Sequence, residues 1–362
     1  MGAPFGPPRQ ATDQVRRLDS LTSLRWFAAL GVFLVHMSLV VKLIVPFYFR
    51  SAEAGAAAGV SFFFMLSGLV LAWARSDDNG NRAFWQNRFA RVWPMHFAAL
   101  IAALVLPWVI AGAPPVASHI PPVFFLVQSW IPNQGWYFAP NIVSWTLACE
   151  AFFYATFPWL HRRIQVVRRP VALLVGLLAL VWVLPLLTLP LNADRTEWAL
   201  YIFPVARLAE FCIGIVLCRL VREGRVRWTN PYLPAVVVVA AILSARWMPI
   251  RFVYVAWAAI PLAWLLAAAA ARNASGRRSA LEARPLVRLG EISFAFYLVH
   301  AQVARWLPTR IGILQHGFLR RPTPFFIVLL LASIACAWVF HEVIEVPFER
   351  ILRAKRARVP TD

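Results

Sequence analysis

Acidic side chains are scarce in this chain. Its 362 residues hold 16 Asp and Glu against 36 Lys and Arg, and charged residues of both signs make up only 14%. There is no internal repeat and no stretch that reads as a soluble domain. Cysteine is nearly absent as well: Cys149, Cys212, Cys218 and Cys336 all fall within apolar stretches, without metal-like spacing. They read as packing residues and give no basis for zinc or a disulfide framework.

Apolar residues are abundant. They account for 60% of the chain, with 27 Phe and 17 Trp, and several runs reach the 18 or so residues needed to cross a bilayer. The pattern predicts an all-α, polytopic membrane bundle of about ten transmembrane helices, over 21-44, 56-74, 92-112, 141-160, 171-190, 198-218, 231-248, 252-271, 289-307 and 324-345. The stretch 119-140, HIPPVFFLVQSWIPNQGWYFAP, has an apolar centre too short to span and prolines on both sides. It reads as one re-entrant or interfacial segment, tolerated where it packs in protein or lines a cavity.

A net charge of +20 could signal nucleic acid, but the basic residues fall between the apolar runs. With the N-terminus inside, 25 of them lie on the cytoplasmic side and 9 outside, leaving Arg25 and Arg207 within spans. That asymmetry is the positive-inside pattern, so the charge reports topology and no nucleic-acid partner is expected. The division is a cytoplasmic tail over 1-20, a single membrane domain over 21-348 and a basic cytoplasmic tail over 349-362, which touches anionic lipid at most. The first span has no small-residue cleavage site behind it and reads as a retained anchor in the inner (plasma) membrane.

Ionisable groups within spans cost several kcal/mol each at the bilayer centre, so they are where function is sought. In LRWFAALGVFLVHM, Arg25 and His36 are eleven residues apart. On an α-helix that spacing returns to nearly the same direction about three turns, roughly 16 Å, further on. Arg88 and Arg91, in NRFARVWP, share a face at the cytoplasmic mouth of span three. Two guanidinium forks there suit a phosphorylated ligand, while lipid phosphate or plain anchoring explains the same spacing. Glu150 sits in mid-span with no basic residue within one turn, so its expected partner is Arg25 or His36 on another helix. Arg207 and Glu210, three apart, read as a structural ion pair. Glu291, Glu345 and His341 lie near span ends and read as structural.

Taken together, these motifs resemble the acyltransferase 3 family of integral membrane acyltransferases. The resemblance rests on SLTSLRWFAALGVFLVH, GVSFFFMLSG, RFARVWP, SWTLACEAFFY, RLAEFCIG, LGEISFAFYLVH and EVIEVPFER, in that order from about Leu18 to Arg350. It implies transfer of an acyl group, usually acetyl, from cytoplasmic acyl-CoA to a hydroxyl of a glycan or glycosylated natural product. No permanently bound cofactor and no metal are implied. By the same resemblance His36 is the favoured catalytic residue, Arg25 supports it, and Arg88 with Arg91 is linked to the acyl-CoA donor. Glu150 joins the catalytic set as the group that holds them, and His300, Tyr297 and Ser67 are additional candidates within the quoted motifs. Two positions depart from the pattern: Ser61 stands where many members have Asp, and His96 where many have Tyr.

Two chemical roles are open to His36, general base toward the acceptor hydroxyl or nucleophile on the thioester. His300 is its rival for the base. The acceptor enters from outside if it is an exported glycan, and from the inner side if it is lipid-linked or small. The chain ends soon after its last span and is expected to complete the transfer alone. A proton-coupled transporter is the alternative that composition and intramembrane charge leave open.

Overall fold

The computed structural model describes residues 18-41, 46-75, 80-310, 322-348 and 350. Residues 1-17 and 351-362 of the two expected tails lie outside the described residues, as do Lys42, Arg320 and Arg321. The chain is helical throughout, with no strand among the described residues. Its α-helices are α1 (Asp19–Val41), α2 (Pro46–Ala74), α3 (Asn81–Ala111), α4 (Ile120–Phe124), α5 (Gln134–Tyr137), α6 (Trp145–Gln165), α7 (Pro170–Leu187) and α8 (Ala193–Glu197). There follow α9 (Pro204–Arg222), α10 (Tyr232–Ser244), α11 (Ile250–Val255), α12 (Ala259–Ala274), α13 (Arg284–Glu291), α14 (Ser293–Arg310) and α15 (Pro322–Phe340).

Among the described residues, helix falls within each of the ten stretches read as spans. Seven helical stretches among the described residues are long and apolar enough to cross a membrane: Asp19–Ser38, Ser51–Ala74, Asn81–Ala111, Pro170–Leu187, Ala193–Arg222, Ile250–Ala274 and Thr323–Phe348. The protein is an all-α multi-pass membrane bundle. Of the remaining three, α10 has 13 residues, whereas α6 and α14 are full-length helices whose apolar character is diluted by the polar groups they bring inward, Glu150 and His300 among them.

The stretch 113-140 contains no helix longer than five residues. Two of its buried side chains bond to the start of α6: the Gln128 amide donates to the Ser144 carbonyl and the Ser129 hydroxyl to that of Trp145. His96, buried in α3, reaches the Val123 carbonyl at 3.0 Å. The segment is largely exposed, with Phe125, Val127 and Trp130 among its outward side chains, and is tied to the bundle through Val123, Leu126, Gln128, Ser129 and Tyr137, which are buried.

α2 is the central helix, packed against α1 on one side and α9 on the other. Between helices in lipid the attraction is close contact, so small residues mark the interfaces. A Cβ at Gly214 would run into the Met65 carbonyl oxygen and one at Gly68 into that of Phe211, so α2 and α9 touch backbone to backbone. Gly290 plays the same part where α13 crosses Thr22 of α1. These contacts fix α1 between α2 on one side and α13 with α14 on the other.

The expected pair of Arg207 and Glu210 is present at 2.9 Å and is 0% and 1% exposed. Arg207 also donates to the Tyr254 carbonyl and to the Ser61 hydroxyl, and its guanidinium lies between the Phe64 and Tyr201 rings. Ser61, one of the two departures from the family pattern, is thus a ligand of this buried cation.

Candidate functional site

Three features line up along the interior from the end that holds the α1 N-terminus. The first is a cavity of about 380 Å³, bordered by Arg25 of α1, Ser67 of α2, Arg88 and Arg91 of α3, and Glu150 and Tyr154 of α6. The i, i+3 spacing on α3 aims both of its guanidiniums into this space. Three guanidiniums and a single carboxyl border it, so the space is cationic, with a volume of the size that small-molecule sites occupy.

The second is a neck of about 60 Å³ leading from that cavity. Arg25, Glu150, Phe63 and Phe294 border both spaces, and Thr146 and Tyr297 line only the neck. The Thr146 and Tyr297 hydroxyls lie 3.1 Å apart in hydrogen-bonding contact.

The third is a pair of imidazoles. His36 Nδ1 is 2.8 Å from His300 Nε2, the rings are nearly parallel at 25°, and His300 Nδ1 lies 3.0 Å from the Phe296 carbonyl one turn earlier on α14. His300 is fully buried and Tyr297, with its ring 6.1 Å away, separates it from the neck. Phe33 and Phe296 pack on His300 from the other sides.

The structure therefore brings Arg25, Arg88, Arg91, Glu150 and Ser67 to one cavity and His36 with His300 to a second centre, about 16 Å further along α1. Two expectations change. Glu150 pairs with neither Arg25 nor His36: its carboxylate accepts the Tyr154 hydroxyl at 2.9 Å, one turn on in the same helix, and no ion pair joins it to Arg25. His300, read as a rival to His36, is its direct partner. His341 Nδ1 lies 2.8 Å from the Glu345 carboxylate, one turn further on.

Tyr154 and Thr146 are the residues that sequence reasoning missed. Tyr154 was within reach, since it stands four residues after Glu150 in SWTLACEAFFY and neighbours it on a helix. Thr146 carries no such signal, because its partner Tyr297 is 151 residues away.

Residues 18–342 match the family described as an acyltransferase domain, the acyltransferase 3 family. The chain belongs to this family. It is 33% identical over 380 residues to acyltransferase MdmB of Streptomyces mycarofaciens, covering 97% of this chain and 95% of that protein. It is 26% identical over 334 residues to nodulation protein 10 of Rhizobium leguminosarum bv. viciae, covering 84% and 85%. No solved structure matches the chain. As a member of the acyltransferase 3 family the protein is a membrane acyltransferase.

Proposed function

We propose that this acyltransferase moves an acyl group, most simply acetyl, from acetyl-CoA to a hydroxyl of a glycan or glycosylated small molecule. The observation that carries the reading is a cationic cavity that narrows past Arg25 and Glu150 into a neck lined by Tyr297, whose ring packs 6.1 Å from His300 of the imidazole pair. The donor's phosphates sit at Arg88 and Arg91, with Arg25 at the entrance to the neck. Its long pantetheine arm runs past Glu150 and Tyr297, and the thioester stops beside His36. His36 takes the proton from the acceptor hydroxyl as its oxygen bonds to the thioester carbon. The carbon–sulfur bond then breaks, and the proton passes to the departing thiolate, which leaves an ester and free CoA thiol. An imidazole is matched to this task near neutral pH.

With a cytoplasmic donor, the α1 N-terminus and the cationic cavity face the cytoplasm and the protein sits in the inner membrane; the basic bias of the sequence supports that orientation. The experiment is a thiol-release assay. Purified protein given acetyl-CoA is expected to release CoA, faster when a suitable acceptor is drawn from a panel of glycans and glycosylated polyketides. In sealed vesicles, added acetyl-CoA should be consumed only when the cytoplasmic face is outward. A protein that moved a solute in proteoliposomes and consumed no acyl-CoA would instead be the transporter that composition alone allowed.

Arg88→Ala and Arg91→Ala are expected to act on donor binding. Losing a charge-assisted hydrogen bond of about 1.5–3 kcal/mol should raise KM for acetyl-CoA by roughly 10- to 100-fold and leave kcat nearly unchanged. Lysine at either position should not restore it fully, because an ammonium lacks the bidentate fork. An unchanged KM in both alanine variants would move the donor site elsewhere.

A further inference from the structure

We propose that His300 is a positioning residue that sets the proton arrangement of His36, so that the nitrogen left bare for chemistry is His36 Nε2. The inference rests on the assignment of His36 as the base and adds the atom that acts and the group that selects it.

The argument is a count of protons along a chain of hydrogen bonds. A backbone carbonyl can only accept, so the His300 Nδ1 that lies 3.0 Å from the Phe296 oxygen carries a hydrogen and donates it. A neutral imidazole has one N–H, so His300 Nε2 is bare. That bare nitrogen stands 2.8 Å from His36 Nδ1. Two lone pairs do not face each other at that distance, so His36 Nδ1 carries the hydrogen and donates to His300. His36 has then used its only proton, and its Nε2 keeps a free lone pair on the side of the ring away from His300.

The competing arrangement has His300 carrying both protons and donating to His36 Nδ1, which would leave His36 protonated on Nε2 and useless as a base. It requires an imidazolium at a fully buried position where no carboxylate makes an ion pair with either ring among the described residues. A buried charge without a counter-charge is the costlier state. The Phe296 carbonyl is fixed by the helix itself, since it lies one turn before His300 on α14, so the chain of donors has a rigid origin. The Phe33 and Phe296 side chains pack on the His300 ring, and the His36 ring lies nearly parallel to it. Isolated histidine favours the Nε2–H form, and His36 alone would tend toward the arrangement in which its outer nitrogen is blocked. The function of His300 is to reverse that preference.

The test uses the full-length protein in detergent or nanodiscs, with ¹⁵N-labelled histidine and single-turnover acetyl transfer at saturating acetyl-CoA. The His36 signals are those lost in a His36→Gln variant. They are expected to show a protonated Nδ1 and a bare Nε2 in the unsubstituted protein. His300→Leu removes the acceptor and should lower kcat on the order of 10- to 100-fold, the usual effect of losing the partner that orients a functional histidine, with KM for acetyl-CoA unchanged. His300→Gln can offer its side-chain carbonyl in place of the ring nitrogen and should recover most of kcat together with the His36 signal pattern. A proton found on His36 Nε2 in the unsubstituted protein overturns the proposal even if His300→Leu fails to fold. Native kcat in His300→Leu overturns it too, and a folded His300→Gln as inactive as His300→Leu would make His300 a proton carrier. Failure of the underlying reading is distinct: His36→Gln would itself transfer acetyl at the native rate.

Discussion

Replacing His36 by alanine is expected to slow acetyl transfer by about 10²- to 10⁴-fold, the contribution of a well-placed general base. The loss should fall on the chemical step. His36 lies about 16 Å along α1 from Arg25 and borders neither the cavity nor the neck, so removing it leaves the guanidiniums of the donor cavity in place. Acetyl-CoA should bind to the variant as it does to the unsubstituted protein, and protein yield should be similar, since the ring fills a half-buried position and makes one side-chain hydrogen bond. The kinetic signature is thus opposite to that of Arg88→Ala or Arg91→Ala, in which KM moves and kcat does not. Measured as single turnover with saturating donor and a productive acceptor, a native rate in folded His36→Ala would remove His36 from the chemistry. Catalysis would then have to be built around Tyr297 or Glu150, nearer the neck.

Much of this arrangement was legible in the sequence because helices are local. The apolar runs that give the spans, the eleven-residue spacing that puts Arg25 and His36 on one face, and the three-residue spacings of Arg88 with Arg91 and Arg207 with Glu210 all follow from 3.6 residues per turn. Arg88 and Arg91 border one cavity and Arg207 pairs with Glu210, as those spacings ask, and the bundle is helical, with seven stretches long and apolar enough to span among the described residues. What was not legible is the pairing between helices. His36 and His300 are 264 residues apart, and a span read alone gives no sign of which helix faces it, so two members of one centre read as competitors. Glu150 shows the converse error. A mid-membrane carboxylate was expected to seek a cation on another helix, yet a hydroxyl one turn away, Tyr154, meets it first. Tyr154 reads in the sequence as one more aromatic in an apolar run, and its polar end counts only once a cavity is there to receive it.

The second large effect concerns stability. Glu210→Gln is expected to destabilise the bundle by about 3–5 kcal/mol, the usual result of removing one partner of a buried ion pair, or roughly a 10²- to 10⁴-fold shift toward unfolded protein. Arg207 would remain at 0% exposure with its hydrogen bonds to the Tyr254 carbonyl and the Ser61 hydroxyl, and with rings on either side, but with no counter-charge. The pair sits on α9, whose backbone is pressed against α2 at Gly68 and Gly214. A strained charge there loosens the central helix contact of the fold. The expected readout is a lower thermal midpoint and yield in detergent, with kcat per folded molecule unchanged. Replacing both charges, as in Arg207→Met with Glu210→Leu, should recover much of the stability, because a buried pair exchanged for apolar side chains of similar volume is often neutral or better. A Glu210→Gln protein that melted normally and had lost catalysis would contradict this reading. The buried carboxylate would then belong to the reaction, and α9 would have to be counted among the helices that form the site.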